Sequence, residues 1–280
     1  MKKLILLSIA AAFGLLSVMT PVPVPQGADA QGNTKDFLPP TVFQAAGPTV
    51  DSIQGSVNQY RAALGEPNNA NAPGQLTSGR REINWDGGSP NNTATSPAGT
   101  PFTGFLNTRG ALFTTPGTGF VQAPPSGLVS TFGNPTYDDN IFKAFSPQRL
   151  FTPIDSNVTE VHFFVPGSNG NAPAATTGFG AVFTDVDQPD GSGPGKKHGN
   201  RQASTLIEYF GADGGLLFSS FVPASPGDGS LSFFGIVSSD ARIARVRITS
   251  GDVAPGPNDD GKRDVVVMDD FLYGEPQLLH

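Results

Sequence analysis

The 280-residue chain has no cysteine, one tryptophan and three histidines, and charged residues make up only 15% of it. Without cysteine there is no disulfide, no thiolate nucleophile and no thiolate-ligated metal. His162, His198 and His280 leave few bases that titrate near neutral pH, and neither a His-Glu-x-x-His nor a Gly-x-Ser-x-Gly pattern occurs. The glycine-rich stretch 193–197 superficially resembles a phosphate loop. It has Asp190 where the upstream glycine belongs and no Ser or Thr after Lys196. Lys and Arg total 17 against 24 Asp and Glu, a balance that argues against nucleic acid as a partner.

What is present begins with a targeting pattern. Lys2 and Lys3 precede a largely apolar run over residues 4–19, followed by Pro21, Pro23 and Pro25 and the small-x-small stretch Ala28-Asp29-Ala30. Residues 1–30 are therefore expected to be a signal peptide cleaved after Ala30, giving a secreted protein, extracellular or periplasmic. The run is short for a membrane span and includes Ser8, Gly14 and Ser17. Loss of this segment removes Lys2, Lys3 and Asp29, leaving 15 basic against 23 acidic side chains and a net charge of −8. Residues 274–280 offer no hydrophobic tail, so no membrane span is expected in the mature chain.

The 35 glycines and 26 prolines are dispersed among regular apolar runs, which reads as many turns. With 21 Phe and few charges, the composition favours β-structure. Residues 31–50 show little periodicity and are expected to be an irregular lead-in. Residues 56–64 form the best short helix, with Val57, Tyr60 and Leu64 on one face and Gly65 as its stop. Residues 93–135 read as loop-rich with a few short strands. Thereafter apolar alternation recurs at strand length: residues 159–165, a hairpin of 206–210 and 216–218 around Asp213-Gly214, then 231–237, 242–248 and 265–271. Short strands without a βαβ rhythm predict an all-β, antiparallel sandwich of jelly-roll type, with long loops and one short helix, over a single domain 31–280.

Two apolar runs end in acidic pairs, at Asp185 and Asp187 and at Asp269 and Asp270. A carboxylate at the end of a buried strand needs a cation or a donor network. The spacing of Asp185, Asp187 and Asp190 before Gly191 resembles a calcium loop, although the twelfth position is Lys196 where an EF-hand has Glu. Asp269 and Asp270, or residues 258–260 in the preceding loop, supply candidate ligands for its other side. The competing expectation is that these aspartates only cap turns through nearby backbone amides. Strand period places Asp185 and Asp187 on the core side and separates Asp269 from Asp270, so that at most one of the second pair shares that face.

A second cluster surrounds the only tryptophan. Arg81, Ile83 and Trp85 alternate with Glu82, Asn84 and Asp86. Trp85 with Glu82, Asn84 and Asp86 is the chemistry of a sugar platform, a ring to stack on and planar polar groups beside it. The alternative is a core tryptophan with Arg81 and Asp86 paired at a sheet edge. Tyr137, Asp138, Asp139 and Asn140 form a third acidic stretch that reads as a solvated turn.

Taken together, residues 79–87, 145–151, 163–167, 178–187, 232–235, 245–251 and 268–271 resemble a group of secreted bacterial β-rich proteins, and the later part is similar to jelly-roll, galactose-binding-like modules. That resemblance implies a β-sandwich in which calcium is structural and sugar binding frequent, and it assigns no individual residue. The expected function is a non-catalytic binding module for extracellular carbohydrate or cell-surface material. A polysaccharide hydrolase using a carboxylate pair and a structural matrix component are the alternatives.

Overall fold

Apolar alternation and uninterrupted apolar runs sort the strands into two layers. The computed structural model describes residues 39–89, 91–138, 140–187, 204–257 and 263–279. The eight-stranded sheet is ordered β1 (Thr41–Gly47), β12 (Leu231–Val237), β9 (Gly178–Thr184), β14 (Val267–Gly274), β6 (Leu150–Ile154), β5 (Gly119–Ala123) and β3 (Ser96–Gly99). Its eighth strand, β2 (Arg80–Ile83), pairs with β14. The five-stranded sheet runs β11 (Leu216–Phe221), β10 (Leu206–Phe210), β13 (Arg245–Thr249), β7 (Val158–Phe163) and β4 (Ala111–Thr114). A two-stranded ribbon joins β8 (Ala174–Ala175) to β15 (Gln277–Leu278). Every ladder between these strands is antiparallel, and the fold is an all-β sandwich.

Sequence pattern tracks burial. In β7, Val161 and Phe163 point inward while Glu160 and His162 alternate outward, because the outer face of the smaller sheet meets water. In β9 and β14 every residue is buried. These strands need no alternation, since both faces are covered. One face joins the sandwich core with Phe179, Phe183, Phe271 and Tyr273. The other lies under two caps: α1 (Val50–Leu64), and α3 (Pro125–Phe132) with Tyr137 and Phe142.

Helix α1 is locked by a shape made from glycines. Gly180 and Gly235 face each other across β9 and β12. A Cβ on either would lie within 2.8 or 2.9 Å of the Tyr60 ring. The ring fills the resulting dent, and its hydroxyl donates to the Ile236 carbonyl at 3.1 Å. Burial pushes the Tyr60 hydroxyl well above its ordinary pKa, so it stays a donor.

The elements depart from the sequence expectation in three places. Helix α1 starts at Val50, ahead of the expected residue 56, because Ile53 adds a turn to the buried face of Val57, Tyr60 and Leu64. Within the expected irregular lead-in, Thr41–Gly47 pairs in full register with β12. The region 93–135 holds α3 and the four-residue helix α2 (Leu106–Arg109) as well as short strands. Among the described residues, no helix is long and apolar enough to cross a membrane.

Candidate functional site

Strand β14 carries Asp269 and Asp270 on a β-bulge. Its register against β9 steps from Met268 opposite Phe183 to Phe271 opposite Ala181, so one extra residue is accommodated there. On its other edge β14 meets β6 at Met268 and β2 from Phe271 onward. The bulge therefore sits where the edge partner changes. Strict period-two alternation fails at this point, and both carboxylates are buried.

The two acids have different surroundings. Asp269 Oδ2 accepts the backbone N–H of Phe145 at 2.6 Å and of Ser146 at 3.3 Å, and Oδ1 accepts the Ser146 hydroxyl at 3.2 Å. Burial pushes its carboxyl well above the usual range, and the neighbouring Asp270 charge pushes in the same direction. Asp270 Oδ2 lies 3.6 Å from Arg61 Nη2, whereas its buried Oδ1 has no hydrogen-bond partner. Burial raises the Asp270 pKa to about 6, against the opposing pull of Ser146, Asp269 and Arg61.

Beside the bulge opens a polar cleft of about 270 Å³, lined by Arg61, Asn68, Glu82, Asn84, Arg109, Ser146 and Asp270. Glu82 takes Arg61 Nη2 at 3.0 Å and Arg80 Nε at 2.7 Å. Asn84 is exposed. Arg109 is half-buried, with its Nε donating to Asn71 Oδ1 at 2.9 Å and its guanidinium 5.5 Å from the centre of the Phe105 ring. Among the described residues it pairs with no carboxylate. A larger depression of about 390 Å³ between Pro124, Ser126, Lys143 and Gln148 has a single charged side chain and no such grouping.

Of the expected ligand-binding residues, Glu82 and Asn84 meet in this cleft, and two do not face it. Trp85 is fully buried, stacked on Phe151 at 3.8 Å and flanked by Phe105, Phe113 and Phe271, with its indole N–H donating to the Asp269 carbonyl at 2.7 Å. It therefore cannot stack on a ligand. The sheet edge faces the second layer here, which turns the alternation of Arg81, Ile83 and Trp85 into core packing. Asp86 is also buried, and its Oδ1 accepts the backbone N–H of Arg149 at 3.0 Å, fixing the entry to β6. Arg81 pairs with Glu275 through two contacts of 2.7 Å, in place of the expected Asp86.

A separate acidic cluster lies at the end of β9. Carboxylate oxygens of Asp185, Asp187 and Asp228 all fall within 4.8 Å of one another, a grouping that could hold a metal ion. Asp185 adopts φ 68°, which Asp tolerates better than most residues, and its N–H donates to the Ser230 carbonyl at 3.0 Å. Asp187 Oδ1 accepts the Gly227 N–H at 2.7 Å. Behind the triad, buried Asp264 accepts the Asp187 N–H at 3.2 Å and the Ser204 hydroxyl. Burial, reinforced by the charges of Asp187 and Asp252, raises the Asp264 pKa to about 6.

Asp269 and Asp270 do not join this triad, because the bulge ties them to the loop at Phe145 and Ser146 and to Arg61. Asp190 and residues 258–260 lie outside the described residues. Sequence reasoning missed Asp228, whose only signal is the turn-forming stretch Pro226-Gly-Asp-Gly229, and Arg61 and Arg109, which belong to helices distant in sequence from β2. No protein-family model, curated protein or solved structure matches this chain.

Proposed function

We propose that the protein is a secreted, non-catalytic binding module for extracellular carbohydrate or cell-surface material, with calcium at the aspartate triad bracing the loops at the end of β9. The cleft between Arg61, Glu82, Asn84, Arg109 and Asp270 carries this reading. Planar guanidinium, amide and carboxylate groups converging on a small opening are suited to the adjacent hydroxyls of a sugar. Three carboxylates offering only oxygen suit a hard cation of flexible geometry, and calcium is the best fit. The secretory pattern of residues 1–30 and the resemblance to galactose-binding-like modules support the same setting.

Catalysis by Glu82 and Asp270 is the weaker reading. Glu82 is held by two arginines, and Asp270 exposes only 4% of its side chain, so neither is free to approach a glycosidic bond. The test is titration of the protein against a broad glycan panel in calcium, alongside Asn84→Ala. Binding that Asn84→Ala weakens supports the reading, whereas silence across the panel rejects it. Release of reducing ends by the wild type, abolished in Asp270→Asn, would promote the hydrolase.

A further inference from the structure

The strands that end the two sheets are finished differently, and one of them is left open. Strand β11 (Leu216–Phe221) reads Leu-Leu-Phe-Ser-Ser-Phe, with no charge, no proline and no glycine, and it ends the smaller sheet on the side away from β4. Its only ladder is with β10, and among the described residues no other backbone group bonds to its free edge. Leu216 is 56% exposed and Phe221 42%. Independently of the carbohydrate reading, we propose that β11 is a self-association surface, pairing antiparallel with β11 of a second copy across a two-fold axis centred on Ser219 and so joining the two smaller sheets into one.

An open row of N–H and C=O groups templates pairing, and sheets blunt such edges with proline, charge or a covering segment. The other three end strands here are protected in these ways. β3 contains Pro97, and β4 is closed by Phe102, which exchanges backbone hydrogen bonds with Phe113 at 2.8 and 3.1 Å. β1 follows Pro39-Pro40 and packs Phe43 and Ala45 under α1, leaving only Val42 as an exposed large apolar side chain. β11 has no such device. A second copy is the occupant that fits it. Rotation about a two-fold axis makes the paired strands antiparallel, like every other ladder of the fold, and it uses both free edges at once, so that association stops at two. Pairing β11 with a different edge of another copy would leave edges open and build a fibre. Centred on Ser219, the ladder sets Leu217 against Phe221 and Phe218 against Ser220 on each side of the axis, with the small serine meeting its own copy. Acidic side chains outnumber basic ones 24 to 17 in the chain, yet none stands on β11, so two acidic copies meet here without like charges on the ladder.

Sedimentation of the protein from ~1 to ~200 µM should show a reversible monomer–dimer equilibrium with a Kd on the order of 10 µM, as befits an interface at the small end of the specific range. Leu216→Lys combined with Phe221→Lys places charge on the edge and should weaken the dimer at least ~10-fold, with little change in melting because both side chains are already exposed. The chain has no cysteine, so Ser219→Cys introduces its only thiol. Residues facing each other across an antiparallel ladder lie ~4.5–5.5 Å apart at Cα, within the span of a disulfide. Mild oxidation of Ser219→Cys should therefore give a covalent dimer that a reductant reverses, while the exposed control Ser239→Cys does not cross-link. A monomer at ~200 µM overturns the proposal, and so does a dimer that the two lysines leave intact. A dimer weakened by the lysines but not locked by Ser219→Cys overturns the register centred on that residue. Should the double lysine variant unfold, the Ser219→Cys cross-link decides alone.

Discussion

Strand β9 and its neighbour β14 each end an apolar run in a pair of acids, yet the two pairs live under different electrostatic regimes. The Asp269 and Asp270 pair, on the bulge, is compensated from within by two backbone N–H groups, a serine hydroxyl and Arg61. At the triad, Asp187 and Asp228 meet a third aspartate, and among the described residues no arginine or lysine forms an ion pair with either. Two acidic pairs that each close an apolar run thus lead to opposite demands. One pair is complete as a protein network apart from a single oxygen, and the other gathers negative charge that a cation would neutralise.

The sharpest way to break the comparison is at Asp269. Replacing it with alanine strands the N–H groups of Phe145 and Ser146 and should cost ~3 kcal/mol in a urea titration, regardless of calcium. A loss below ~1 kcal/mol would show that the network contributes little. Next comes the triad. With calcium at a hundred times its Kd, the protein should gain about 2.7 kcal/mol over its chelated form, and Asp185→Asn or Asp228→Asn should abolish that gain while Asp270→Asn leaves it intact. Melting that a chelator does not change would remove calcium from the account.

Proton linkage gives a smaller difference. Because burial raises Asp270 to about 6 from a usual carboxylate value near ~4, the folded state holds that proton more tightly than the unfolded chain does. The resulting stability is complete below pH ~4 and is lost as pH rises through about 6. Urea midpoints measured across this window should fall with pH in the wild type and fall less steeply in Asp270→Asn. Equal slopes would mean that Asp270 is ionised throughout. The smallest stability effect should be at Asn84, an exposed side chain whose one hydrogen bond is a long 3.4 Å contact from the Asp86 N–H to its Oδ1, so that alanine should cost no more than ~0.5 kcal/mol while glycan affinity drops.

Much of the β-framework was legible because period-two alternation survives wherever one face meets water, as in β7 and β13, and because Asp213-Gly214 marks the β10–β11 turn. Helix α1 was legible only in its last turns. Asp51, Ser52, Gln54 and Gly55 dilute the apolar stripe at its start, and it is the docking of Ile53 that completes it. The site was half legible. Glu82 and Asn84 stand on one alternating face and remain there, but whether Trp85 faced solvent or core depended on a second sheet that local sequence does not encode. The bulge at Asp269 and Asp270 was hidden for the same reason, since it arises where β14 exchanges β6 for β2.

The dent formed by Gly180 and Gly235 acts on more than the helix it holds. Tyr60 and Arg61 are adjacent in α1, so the ring seated against the sheet indexes the guanidinium at the rim of the cleft. A methyl group at Gly180 would lever the helix outward from beneath and displace Arg61 from Glu82 and Asp270 without touching any of them. Two residues with no side chain thereby set the aperture of a site they never contact.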